Sequence, residues 1–244
     1  MNVTGTAIKA ASIRAQPAVS SGSALVTPEE DSLPTRIFKD LRGRIIDGEF
    51  PMGSRLRERE LAEKLGVSRV PLREALPQLE ADGFIRTSLR RGAVVVQLTL
   101  RDVAELFDAR LGVEVHATKL AAYRCAAGAA TSGLDSALQR AVAAVDHGAP
   151  GLISELNADL HEQIVLLADN ALMSTIFTPI AARDRWIFRL TADRDAHVAC
   201  AEHAELCAAI TGGRADMAAA LAYSHIERGR APTLAALEPI LPAG

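Results

Sequence analysis

The chain has 244 residues, with 27 Lys and Arg against 30 Asp and Glu and a formal net charge of −3, a length that fits two domains each with its own core. No apolar run approaches about 18 residues, so no membrane-spanning helix is expected. The three cysteines, Cys125, Cys200 and Cys207, are odd in number and do not form a disulfide framework, which fits a reducing cytoplasm.

Charge is unevenly distributed. Residues 34–101 hold 14 Lys and Arg against 9 Asp and Glu, whereas residues 102–244 hold 11 against 18. A mildly acidic chain with a basic segment is the asymmetry of a nucleic-acid module joined to a second part.

Residues 1–33 are rich in Ala, Ser, Thr and Val, carry Lys9 and Arg14, and have no acid before Glu29. They form no amphipathic stripe, and a disordered extension is expected there. Thr35–Gly48 carries Ile37, Leu41, Ile45 and Ile46 on one helical stripe. Arg59–Leu65 is a short amphipathic helix with Leu61, Ala62 and Leu65 inward, ended by Gly66. The next helix spans Val67–Glu80, with Ser68 as N-cap and Pro71 early enough that its missing N–H costs nothing. Leu72, Ala75, Leu76 and Leu79 make its apolar stripe. Arg69 and Arg73 share another face, where two guanidiniums suit phosphate oxygens and guanine edges. Two helices joined at a glycine turn form a helix-turn-helix. Asp82-Gly83 closes the second helix. Phe84–Thr87 and Ala93–Val96 then read as two strands around a wing, with Arg90 and Arg91 at its tip. Residues 34–98 are therefore expected to form a winged helix-turn-helix.

The rest has no strand signal. Thr99 is a plausible N-cap with Asp102 at N3. Breaks are expected at Ala127-Gly128, His147–Gly151, Asp169-Asn170, Pro179 and Gly212-Gly213. The intervening stretches are amphipathic, giving a bundle of six or seven helices over 99–235 and a tail over 236–244. The fold class is thus mainly α. Asn157 and His161 are one turn apart on one helix face. His203 and His225 lie on the last two helices, which a short turn must pack antiparallel. Three histidines and one oxygen can hold Zn, Ni or Mn as a divalent ion. They can equally be buried histidines satisfied by hydrogen bonds. Arg183, Arg185 and Arg189 around Trp186 read as a solvated face, and Cys207 as buried filler.

Gly48–Leu56, Glu60-Leu-Ala-Glu-Lys-Leu-Gly-Val-Ser-Arg-Val-Pro-Leu-Arg-Glu-Ala-Leu76, Leu79–Ile85 and Arg91-Gly92 resemble the DNA-binding domain of GntR-type bacterial transcription regulators. The resemblance implies that Arg59, Ser68, Arg69 and Arg73 contact double-stranded operator DNA. It also implies that Gly92 marks the wing tip, with Arg91 contributing. Val70 stands where that family usually has Thr, removing a phosphate hydrogen bond. Pro77 stands where it usually has Arg and is expected to kink the recognition helix.

Asn157–His161, Asn170, Leu172, Glu202-His203, Ile210, Gly213, Asp216, Ala219 and His225 resemble the all-helical FCD effector domain, as do Arg110–Glu114 and Leu120–Ala122. That resemblance implies a metal held by Asn157, His161, His203 and His225, with Asn replacing the family's Asp. It implies a small carboxylate effector on the metal's open positions, helped by Arg110, for which a structural ion pair is the other reading. The resulting expectation is a cytoplasmic homodimeric repressor with an effector-binding domain. Two alternatives stay open: a metal-dependent enzyme with an appended DNA-binding head, and a DNA-binding dimer without metal or effector.

Overall fold

The structure, a computed structural model, describes residues 31–88, 92–147, 150–191 and 196–244. The expected extension over 1–33 falls almost entirely outside the described residues, as do Arg90 and Arg91. Ser32–Gly244 is one compact unit, and among the described residues it contains nine helices and a three-stranded sheet.

Helix α1 (Leu33–Ile46) starts at Ser32, whose hydroxyl oxygen accepts the Thr35 N–H, and it buries Ile37, Leu41 and Ile45. Strand β1 (Arg55–Leu56) follows, a two-residue element too short to leave a sequence pattern. Helix α2 (Glu58–Leu65) ends on Gly66 at φ 65°, a left-handed cap that glycine adopts without a Cβ penalty. Helix α3 (Arg69–Ala81) buries Leu72, Ala75, Leu76 and Leu79. Burying each leucine contributes about 1.5–3 kcal/mol. Ser68 occupies the N-cap, but its side chain makes no capping bond.

Pro77, where a kink is expected, lies inside α3, which continues past it as a single helix. Proline still removes the N–H that would bond the Arg73 carbonyl. The buried leucines on either side of it keep the helix against the core.

Strands β2 (Ile85–Ser88) and β3 (Gly92–Val95) pair antiparallel, with Ile85 opposite Val95 and Ser88 opposite Gly92. β1 joins the other edge of β3, giving the order β1-β3-β2. The expected two-stranded wing is therefore part of a three-stranded sheet.

Six helices follow: α4 (Leu100–Ala126), α5 (Ser132–Asp146), α6 (Pro150–Leu167), α7 (Ala171–Leu190), α8 (Ala196–Thr211) and α9 (Ala215–Leu237). Thr99 and Asp102 form a reciprocal capping box at the start of α4. The break expected at Pro179 does not occur, because Pro179 lies inside α7. Helices α8 and α9 turn back on one another through Gly212 and Gly213. Gly213 sits at φ 67°, and a Cβ there would collide with Ala126.

The residues after Glu238 pack against the start of α4. Leu241 is buried, and the carbonyls of Pro242 and Ala243 accept the Leu100 and Arg101 N–H groups at 2.9 and 3.3 Å. These bonds satisfy donors that a helix N-terminus otherwise leaves open. One apolar cluster runs from Ile37, Leu72 and Phe84 into Phe107, Trp186, Ile187 and Leu241. A second, built around Leu134, Leu160, Leu206 and Ile210, fills the bundle between α4, α5, α6, α8 and α9. Its many alanines let the helices approach closely enough for polar side chains to meet at the bundle centre. Among the described residues no helix is long and apolar enough to cross a membrane.

Candidate functional site

Two groups of side chains carry chemistry. The first lies on α2, α3 and the sheet. Arg59, Ser68, Arg69 and Arg73 are all exposed. Arg73 Nε donates to Glu58 Oε2 at 2.7 Å, which fixes the base of the guanidinium and leaves both Nη groups available. Because Ser68 Oγ does not cap α3, its hydroxyl remains available on that same helix end. Gly92 is exposed at φ 78°, and a Cβ there would touch the Leu56 carbonyl at 3.4 Å. Arg91 lies outside the described residues. Glu80, on the last turn of α3, accepts both the Thr87 N–H (2.6 Å) and the Thr87 hydroxyl (2.5 Å), which ties β2 to the helix.

The second group lies inside the bundle. His161 on α6, His203 on α8 and His225 on α9 are buried, with one ring nitrogen of each within 4.8 Å of the others. The antiparallel α8–α9 pair brings His203 Nε2 to 3.1 Å from His225 Nε2. His161 Nδ1 donates to Glu114 Oε2 at 2.6 Å, and His225 Nδ1 donates to Glu202 Oε2 at 2.7 Å. A carboxylate on Nδ1 orients each ring and leaves the Nε2 lone pair for a cation. Burial keeps His225 neutral by lowering its pKa to about 4, against the opposing pull of Glu202. The hydrogen bond from His225 holds the Glu202 carboxyl at about 2.

These residues fit a divalent ion. Two imidazole nitrogens that each sit about 2.0–2.1 Å from one ion take a separation near the 3.1 Å observed. Asn157 is half-buried one turn before His161 on α6. Asp159 is committed elsewhere, to Arg185 (2.9 Å) and Arg140 (3.3 Å).

Arg110 on α4 is buried beside the histidines. Its Nε donates to Glu114 Oε1 at 2.6 Å and its Nη1 to Asp184 Oδ1 at 3.1 Å, while Nη2 lies 3.5 Å from His161 Nε2. Burial works against the charge on Arg110, but Asp184 and Glu114 more than offset it and raise its pKa. Burial also opposes ionisation of Glu114, yet Arg110 and His161 hold its carboxyl down at about 2. Asp184 keeps one oxygen, Oδ2, buried without a hydrogen-bond partner, and burial pushes its carboxyl up to about 6. Arg110 is therefore a buried ion pair, as one of its two sequence readings expects, and it also neighbours the histidine cluster.

Of the arginines around Trp186, Arg183 and Arg189 are exposed, as a solvated face requires, while Arg185 is half-buried. Arg185 forms a two-pronged pair with Glu162 and reaches Asp159; Arg183 Nε donates to the Asp82 carbonyl at 2.8 Å; and Arg189 lies 3.7 Å from Asp47. The departure at Arg185 left no spacing signal, because its partners Glu162 and Asp159 come from α6 and not from α7. Cys207 is buried, and burial pushes its thiol up to about 12, as filler requires. Asp184 and the bracing role of Glu202 escaped the sequence reading, since their partners are 74 and 23 positions away. Glu114, four residues from Arg110, did leave a helical-pair signal.

A winged helix-turn-helix joined to a helical bundle with a buried histidine cluster defines the architecture of a transcription regulator: a DNA-binding head and a helical body. Comparison with known proteins places it further. Residues 33–95 match the family "Bacterial regulatory proteins, gntR family", and residues 105–228, half of the chain, match the FCD domain. The chain belongs to the GntR family of bacterial transcription regulators, in the group carrying an FCD domain. Proteins of this family bind operator DNA and are not enzymes, and FCD domains bind small-molecule effectors and metal ions.

Among its relatives is an uncharacterized HTH-type transcriptional regulator of Bacillus subtilis, YdhC, 32% identical over 136 residues, which are 55% of this chain and 60% of that protein. The gluconate operon transcriptional repressor of Bacillus licheniformis is 43% identical over 83 residues, 34% of each protein. The match thus spans less than two thirds of either relative. The crystal structure of a putative GntR transcriptional regulator from Rhodococcus sp. RHA1 superposes with a TM-score of 0.70 at 25% identity, covering 83% of this chain and 97% of that one.

Proposed function

We propose that this regulator is a cytoplasmic homodimeric repressor whose hold on its operator changes when a small organic acid binds at a metal in the bundle. The observation that carries the reading is the convergence of His161, His203 and His225 with Arg110 in one buried cluster. Arg59, Ser68, Arg69, Arg73, Arg91 and Gly92 form the DNA-contacting set; exposure of the first four and the open φ of Gly92 support this. His161, His203 and His225 would hold the ion through their imidazoles, and Asn157, one turn before His161, would add a neutral oxygen.

Bound there, the ion supplies a Lewis-acidic anchor for a carboxylate. The protein's own residues do the rest. Glu114 and Glu202 hold the imidazoles in the ligating tautomer. Arg110 uses Nε and Nη1 on Glu114 and Asp184 and keeps Nη2 toward the cluster, where it orients the effector's carboxylate. The buried set of Arg110, Glu114 and Asp184 has no spare positive charge, so an anionic ligand enters only with the cation in place. Helix α7 carries the signal: Asp184 faces Arg110, while Arg183 and Trp186 touch the helix-turn-helix. Repression is favoured by the named repressor among the relatives.

The test is a thermal-shift screen of small organic acids with and without added metal, followed by operator binding with each hit. An acid that raises the melting temperature only with metal, and changes operator affinity, supports the proposal. Stabilisation that is indifferent to metal would overturn the metal-anchored pocket.

A further inference from the structure

The recognition helix presents one feature that phosphate contacts and guanine-reading arginines do not use. Its buried side is Leu72, Ala75, Leu76 and Leu79; its opposite side exposes Arg69, Val70, Arg73, Glu74 and Gln78. On this polar face, in the first turn, Val70 is 66% exposed and belongs to none of the apolar clusters among the described residues. The second helix of a helix-turn-helix enters the major groove with its N-terminal residues toward the base edges. Val70 therefore stands at the place from which bases are read.

We propose that Val70 reads the 5-methyl group of a thymine in the operator's major groove. This rests on the DNA-contacting face assigned above.

The chemistry is selective. Thymine carries the one methyl group that the four bases display in the major groove, beside edges that are otherwise mostly hydrogen-bond donors and acceptors. An isopropyl group set against those polar groups would strip their water and return no hydrogen bond, which costs binding energy. Set against a thymine methyl, it removes apolar surface from water on both sides. Valine in a helix is held mostly in one χ1 rotamer, so little side-chain freedom is lost on contact. Arg73, three residues on and on the same face, is braced through Nε by Glu58 at 2.7 Å. The face thus offers a polar and an apolar reader one turn apart. Valine has no side-chain hydrogen bond to offer a phosphate, so at this position a base contact stands in place of a backbone contact, which favours sequence preference over general affinity.

The test uses the full-length protein and an operator recovered from a random duplex pool. Each thymine is replaced in turn by deoxyuridine, which lacks only the methyl group, and affinity is read by fluorescence anisotropy. Wild type is expected to show one thymine per half-site where uracil weakens binding by about three- to fivefold, the factor that burying one methyl gives. Val70→Ala should bind the thymine and uracil operators equally at that position. Val70 is exposed, so this variant folds, and circular dichroism melting checks it. No uracil-sensitive thymine, or equal sensitivity in Val70→Ala, overturns the methyl contact. Arg73→Ala on the same operator separates the two levels. Retained affinity there would overturn the assigned face and the methyl contact together; lost affinity without a uracil effect would overturn the methyl contact alone.

Discussion

Trp186 stacks on Phe84, with ring centroids 5.2 Å apart and planes 23° from parallel. Phe84 directly follows the Asp82-Gly83 turn that ends the recognition helix, and Trp186 lies two residues beyond Asp184. The same stretch of α7 therefore touches the Arg110 cluster on one side and the DNA-binding head on the other. Arg183 adds a hydrogen bond to the Asp82 carbonyl, and Gly83, at φ 76°, leaves room for it, since a Cβ there would collide with the guanidinium. A shift of α7 at Asp184 has a short, packed route to the end of α3.

Arg183→Ala tests that route. The residue is exposed, so the fold should survive and operator affinity without effector should change little. The effector-induced change in affinity should shrink by about 0.5–2 kcal/mol, the range found for residues that couple sites. Anisotropy titrations with and without effector measure it, and an undiminished effector response would rule out α7 as the route.

Arg110 cannot be removed cheaply. Arg110→Met leaves Glu114 and Asp184 buried without their shared cation, and breaking a buried pair costs about 3–5 kcal/mol. Urea denaturation should show a loss of that order. A change under about 1 kcal/mol would mean that the three charges are not packed together as described.

Glu202→Gln keeps the shape of the His225 brace but removes its charge. Losing such an outer partner should weaken metal affinity by about 10- to 100-fold, read by competition with a chelator. Unchanged affinity would show that Glu202 serves only its pair with Arg228 (3.0 Å).

Leu241→Ala addresses the C-terminal residues. Leu241 is 4% exposed in the cluster that includes Trp186 and Phe107. Leucine-to-alanine changes at such sites cost about 2–5 kcal/mol, so the melting temperature should fall by several degrees. No change would contradict the packing of Leu241 into that cluster.

The helix-turn-helix was legible because its signals are local: Gly66 as a left-handed cap, the Leu72/Ala75/Leu76/Leu79 stripe, and the Asp82-Gly83 stop. The approach of His203 and His225 was legible because one tight turn packs their helices antiparallel, whereas the place of His161 beside them came from the resemblance to the FCD domain. Strand β1 was not, since two residues carry no period. The arginines of α7 were legible in part: Arg183 and Arg189 are exposed as their stripe suggests, but Arg185 is half-buried against Glu162 and Asp159 of α6, which only the fold brings to it. Pro77 and Pro179 show that packing can carry a helix through a residue that removes one backbone bond. Asp184 carries no spacing signal at all; only the fold brings it to Arg110.

The central claim, that the histidine cluster holds a divalent ion, is tested most directly by elemental analysis of the purified full-length protein beside its His161→Ala/His203→Ala variant. About one equivalent of metal per chain is predicted in the wild type, and a trace in the variant that still binds operator DNA. Negligible metal in both, after purification without chelator and incubation with Zn, Ni or Mn, would contradict it.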